Sequence, residues 1–164
     1  MRNIILLGFL LHLSLFASTD YWQFQHNESE GLHQNQSLTV SIDVTQLRGS
    51  LLQAPLAISK NKVTIILDFP TPLGNFIAFE IVETPVMPEL LAKRFPGIRT
   101  FTGRGINNPN DRVSITLNSN TVKVLMIGSK GNIYIGKKRD GSGGYLVTFN
   151  EAELTADPIE IPLT

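Results

Sequence analysis

Few groups in this chain could do chemistry, and their spacing argues against most kinds of it. Three histidines are present: His12 falls in an apolar leader, while His26 and His33 sit seven residues apart in a polar stretch without periodicity. A zinc hydrolase needs two histidines one helical turn apart with a carboxylate base beside them, and no His-Glu-x-x-His occurs. The expectation for His26 and His33 is two solvated side chains. Serines are plentiful, yet no Gly-x-Ser-x-Gly elbow presents one as a nucleophile. With zero cysteines, thiolate catalysis and thiolate ligation are excluded, and the core must hold the chain without disulfides. Gly128-Ser129-Lys130-Gly131 and Gly141-Ser142-Gly143-Gly144 lack the Lys-Ser/Thr ending of a phosphate loop. Gly103-Arg104-Gly105 lacks the third glycine of a dinucleotide fingerprint and marks a bulge or strand end. Glu80 and Glu83 lie three apart on an apolar strand, so they face opposite sides of a sheet and cannot share a site. No catalytic residue, metal ligand or cofactor is expected on this chain.

The cations offer more. Lys93, Arg94, Arg99, Arg104 and Arg112 are close in sequence. If their elements are neighbours, they form a basic patch that is either a solvated face or a docking surface for an acidic partner. Lys137-Lys138-Arg139 reads as a soluble hairpin tip that guards against edge pairing. Lys and Arg total 14 and Asp and Glu total 14, so the formal charge is zero. That balance leaves no excess for a nucleic-acid backbone or for anionic lipid.

These residues must be positioned by a β-rich framework. Residues 1–18 form a leader: Met1-Arg2-Asn3, an apolar run from Ile4 to Phe16, then Ala17-Ser18. It reads as a signal peptide, too short to span a bilayer comfortably, with an uncleaved anchor as the alternative. The protein is thus expected to be secreted or periplasmic, without stable membrane insertion after cleavage. Residues 19–36 are polar and patternless apart from Tyr21, Trp22 and Phe24, which anchor the segment on the core or, alternatively, stack on a sugar. Residues 37–150 form one domain, and 151–164 a tail or the start of a linker, as in a fragment of a longer chain. Leu38, Val40, Ile42 and Val44 alternate with polar residues in strict period two. Leu47, Leu51 and Leu52 allow one helical turn, which Gly49 weakens. Residues 62–69 and 75–83 make a hairpin across Pro70-Thr71-Pro72-Leu73-Gly74. Strands at 98–103, 113–117, 122–126, 131–136 and 144–149 complete an antiparallel meander. The expected fold is mainly β, a single antiparallel sheet in a sandwich or half-barrel, with one short helix around 88–95.

The most ordered set of local signals is Glu83 to Gly105. Pro85 keeps Thr84 extended, Pro88 starts a helix, and Leu90, Leu91 and Phe95 give it one apolar stripe to dock on the sheet. Pro96-Gly97 stops it, and Phe101 and Gly103 belong to the following strand. This segment, sharpest at Pro85, Met87-Pro88-Glu89-Leu90, Phe95-Pro96, Ile98-Arg99-Thr100-Phe101 and Gly103, resembles the N-terminal propeptide-like region of secreted bacterial reprolysin-like (metzincin) zinc metalloproteases. The resemblance covers most of residues 38–150 and does not include the protease domain. It implies a companion domain that assists folding or sterically covers the cleft of a cognate metalloprotease domain in cis, with zinc only in that absent domain. Latency by zinc ligation is not supported, because there is no Cys, and Arg104 stands where an aspartate switch needs Asp. The alternative is a free-standing secreted binding or adhesion module using Tyr21, Trp22 and the loop 106–111 as its surface.

Overall fold

Alternating apolar residues and short polar turns build the chain into β1 (Trp22–Phe24), β2 (Ser37–Ile42), α1 (Val44–Leu51), β3 (Ile65–Pro70), β4 (Phe76–Glu83), α2 (Glu89–Arg94), β5 (Arg99–Gly105), β6 (Arg112–Leu117), β7 (Val122–Gly128), β8 (Gly131–Lys137) and β9 (Tyr145–Thr148). The structure is a computed structural model, and it describes residues 21–25, 37–59, 64–129 and 131–149. The leader, His26 and His33, and the tail lie outside the described residues. All nine strands belong to one antiparallel sheet in the order β1-β2-β9-β8-β7-β6-β5-β4-β3. From β3 to β8 the order is the expected meander. The two N-terminal strands then close the far side by pairing β2 with β9.

The sheet curls until its edges meet. Trp22 on β1 donates its indole N–H to the Asp68 carbonyl on β3 at 2.9 Å, and its ring meets Phe69 edge-on at 6.0 Å. Phe24 and Phe76 are in contact further along, with ring centroids 5.5 Å apart. The result is a near-closed barrel, and its interior alternates as a barrel must. Phe69, Phe79, Ile81, Phe101, Ile115, Leu117, Ile135 and Val147 are buried in one core cluster. Gly103 sits inside on β5 because nothing larger fits: a Cβ there would lie 2.6 Å from both Ile81 Cδ1 and Val113 Cγ1.

Three expectations need correction. The N-terminal segment read as patternless contains strand β1; Tyr21 and Trp22 are buried in the core, as their anchoring role requires, so the alternative that displays them as a binding surface is overturned. Among the described residues there are two helices, not one. In α1, Asp43 caps the first turn by accepting from the Gln46 amide at 2.9 Å, so Gly49 is tolerated. Leu47 and Leu51 of α1 are fully buried and plug one end of the barrel. The third correction concerns α2, which does not dock through its stripe. Leu90 is 80% exposed and Phe95 47% exposed, and no α2 residue is buried. The reason is topological. β4 and β5 pair directly from Phe79↔Gly105 to Glu83↔Phe101, and α1 already fills the barrel end, so the segment between these strands has no core left to cover.

Candidate binding site at the open end of the barrel

Among the described residues no helix plugs the end opposite α1. There β3 turns into β4, β5 into β6 and β7 into β8, and the turns surround a cup with a volume of about 440 Å³. Phe79, Met126 and Ile133 form its floor, each reaching it from the inward-facing row of a different strand. Phe76, Ile77 and Phe149 line its walls. Thr71, Asn75, Asn107, Asn108, Asp111 and Ser129 supply the polar rim. An apolar interior with a few convergent polar groups at a barrel mouth is the usual composition of a small-ligand site.

The rim is held by its own hydrogen bonds. Asn108 donates from Nδ2 to Asp111 Oδ1 at 2.8 Å, and the Asn110 amide donates to Asn108 Oδ1 at 3.2 Å. Gly128 and Gly105 make room for this loop: a Cβ on Gly128 would meet Asp111 Oδ1 at 2.8 Å, and one on Gly105 would meet the Asn108 carbonyl at 2.5 Å. Across the mouth, the Thr71 hydroxyl donates to Asn75 Oδ1 within the β3–β4 turn. Of the surface expected for a binding module, the loop 106–111 is therefore at the mouth. Tyr21 and Trp22 instead seal the seam between β1 and β3.

The five cations singled out by sequence do not form one patch. Lys93 pairs with Glu89 within α2 at 2.7 Å, and Arg94 lies on the same exposed helix. Arg99 enters the barrel end near α1 and grips Glu83 with two N–H groups, one of them at 2.5 Å. Arg104 and Arg112 are cross-strand neighbours near the cup, and both donate to the Pro109 carbonyl. Arg99 and Arg104 are separated by five strand residues, about 16 Å. Glu80 and Glu83 do fall on opposite faces: Glu83 points inward to Arg99, while Glu80 stands opposite Arg104 in the strand register on the outer face and accepts from the Thr64 hydroxyl. The structural residues behave largely as their types require. Pro88 caps α2, Phe95 ends it, and Phe101 is buried. The Gly97 carbonyl accepts from Arg48 of α1 at 3.3 Å, while Pro85 and Pro96 flank the helix.

Perturbed titrations lie away from the cup. Burial, with Asp68 nearby, pushes the Tyr21 hydroxyl up to about 12. Burial likewise raises Tyr145, whose hydroxyl accepts from the Val122 amide at 3.4 Å. The Glu83 carboxylate raises Arg99. The hydroxyl and amide of Ser142, with Lys138, hold exposed Asp140 down at about 2. None of these groups lines the cup. Among the described residues no group of three or more His, Cys, Asp and Glu could hold a metal ion. Sequence reading missed Phe76, Ile77, Met126, Ile133 and Phe149 as site residues. Their only signal was an apolar residue at a strand end, which is equally the signal of ordinary core.

The class that fold and site define is a small near-closed antiparallel barrel, plugged at one end by a helix and cupped at the other. Comparison of the chain with protein-family models, with curated proteins and with solved structures yields no match.

Proposed function

We propose that this domain is a binding module that receives a small apolar group in the cup at the open end of the barrel. The observation that carries this reading is the composition of the cup, an aromatic and aliphatic interior under a rim of amides and hydroxyls. The rim groups bond mostly to one another, which suits a preorganised receptor. The sequence of the leader, Met1 to Ser18, supports action outside the cytoplasm. The test is methyl NMR of the full chain titrated with a panel of small aromatic compounds. Ligands should shift the signals of Ile77, Met126 and Ile133 and leave Leu47 and Leu51, at the plugged end, unmoved. A panel that perturbs none of the cup methyls refutes the reading.

A second reading rests on a separate observation. Val86, Leu90, Leu91 and Phe95 are exposed together on and around α2, inside the segment that resembles metalloprotease propeptides. Clustered exposed apolar side chains favour a protein partner. On this reading α2 is the contact to a cognate metalloprotease domain in cis, and the barrel covers its cleft sterically. Adding the domain in trans to such a protease should slow it or assist its folding, and Leu90→Asp should remove that effect. No effect of the unmodified domain sinks this reading.

A further inference from the structure

Asp111 is the only charged side chain among the described residues that line the cup. Its position is built by its neighbours. The Asp111 amide donates to the Asn108 carbonyl at 3.0 Å, and its Oδ1 accepts from Asn108 Nδ2 at 2.8 Å. The carboxylate lies over Gly128, where a Cβ would stand 2.8 Å from Oδ1 and 3.2 Å from Cγ. Gly128 itself lines the cup, so its missing side chain is what admits the carboxylate to the mouth. No cation takes this carboxylate among the described residues. Arg104 and Arg112 stand opposite one another on the outer face, with Gly103 and Val113 turned inward beside them. They donate to main-chain oxygens instead: Arg104 Nε to the Pro109 carbonyl at 3.1 Å, and Arg112 Nη1 to the Pro109 and Asp111 carbonyls. Among the described residues Oδ2 of Asp111 therefore has no hydrogen-bond donor.

The rest of the mouth suits a positive group. Phe76 and Phe149 line the cup and remain 36% and 38% exposed, so their rings are open to a ligand at the lip. The face of an aromatic ring is its negative side and attracts a cation. Asn75 Oδ1 and Asn108 Oδ1 each accept one hydrogen bond and keep a second lone pair for another donor. An ammonium group consists only of donors and matches such a rim. A neutral ligand would strip water from the carboxylate without replacing it, and an anionic ligand would meet like charge. Resting on the reading of the cup as a receptor, we propose that its ligand is an organic ammonium, a protonated amine that meets Asp111 at the rim and carries an apolar body into the space above Met126 and Ile133.

The experiment titrates the full chain with three probes that share a phenyl ring on a short alkyl chain and differ at the other end: phenylpropylamine, phenylpropanol and phenylpropanoate. Binding is read by calorimetry and by the methyl signals of Ile77, Met126 and Ile133. The amine should bind about tenfold more tightly than the alcohol, the size of one charge-assisted hydrogen bond partly screened by solvent, and the carboxylate should bind most weakly. Asp111→Asn keeps an acceptor for Asn108 Nδ2 and the same volume over Gly128, so its unfolding temperature should match the parent's. It should bind the amine about tenfold more weakly and the alcohol unchanged. Equal binding of amine and alcohol to the parent overturns the proposal and leaves the cup a receptor for apolar groups. A variant that binds the amine like the parent also overturns it. So does a carboxylate that binds best, the outcome expected if Lys130 of the β7–β8 turn, outside the described residues, governed the charge of the mouth. Three probes that leave the cup methyls unmoved overturn this proposal and the receptor reading together.

Discussion

Arg99→Met should destabilise the domain more than Glu83→Gln, although the two residues form one ion pair. The asymmetry follows from burial. The Glu83 side chain is 9% exposed and that of Arg99 is 38% exposed. Glu83 is also fixed by its backbone, since its amide donates to the Pro55 carbonyl at 2.8 Å and its carbonyl accepts from the Ala57 amide at 2.9 Å. Removing Arg99 leaves a carboxylate inside the barrel that cannot turn away. Breaking a fully buried pair costs about 3–5 kcal/mol. Because Arg99 is more than a third exposed, solvent screens part of this, and about 2 kcal/mol is expected. Removing the Glu83 charge leaves a guanidinium that can swing to water, and a Gln that still accepts one hydrogen bond, so about 1 kcal/mol is expected there. For a domain of this size each kcal/mol moves the melting temperature by about 4 °C. Arg99→Met should therefore melt about 8 °C lower, and Glu83→Gln about 4 °C lower. The double variant should recover part of the Arg99→Met loss, because no charge is then stranded. The assay is urea unfolding of the four proteins in one double-mutant cycle, supported by thermal melts. Strict additivity, or an Arg99→Met variant within about 0.5 kcal/mol of the parent, refutes the reasoning.

Other outcomes follow from the same structure. Leu51→Ala in α1 should lower stability by about 2–5 kcal/mol in urea unfolding, since it empties the plug of the closed end. Gly103→Ala should cost about 1–3 kcal/mol by overpacking Ile81 and Val113, measured the same way, and a neutral result would contradict the packing of β5. Alkaline stability should depend on Tyr21. Its folded-state value of about 12 lies above its ordinary value of 10.0, so its contribution is complete below about pH 10 and is lost as pH rises toward 12. Absorbance titration against unfolding should show Tyr21 and Tyr145 ionising with the transition, since burial raises both, and Tyr21→Phe should remove only the part that belongs to Tyr21. Trp22→Phe deletes the seam bond to Asp68 and should cost about 1–3 kcal/mol, read by far-UV melts.

Much of the fold was legible in the residues themselves. Period-two alternation marks the strands at 113–117 and 122–126 and the one that begins at 37, although Asp43 ends that strand by capping α1, so Val44 is helical. The Pro-Gly turn at 70–74 fixes the β3–β4 hairpin, which pairs as expected from Ile65↔Ile81 to Pro70↔Phe76. The helix at 89–94 was also legible, because Pro88 and Pro96-Gly97 set its limits locally. Its burial was not. An apolar stripe states that a surface prefers to leave water, and says nothing about whether a core face remains vacant to receive it. The α1 helix was nearly hidden by Gly49, since its stability comes from Leu47 and Leu51 packing in the barrel rather than from propensity.

The sequence by itself determined the strands, their turns, the lack of thiol chemistry and the opposed faces of Glu80 and Glu83, because each depends on neighbours within a few residues. Only the tertiary structure decided how the cations are shared out. Arg99 faces Glu83, Arg104 faces Arg112 and Lys123 faces Thr116, because register across strands sets each neighbour and nothing local encodes it. The same holds for the cup. Met126 and Ile133 already meet as partners across the β7–β8 hairpin, but Phe79 on β4 joins them only when the sheet curls round on itself.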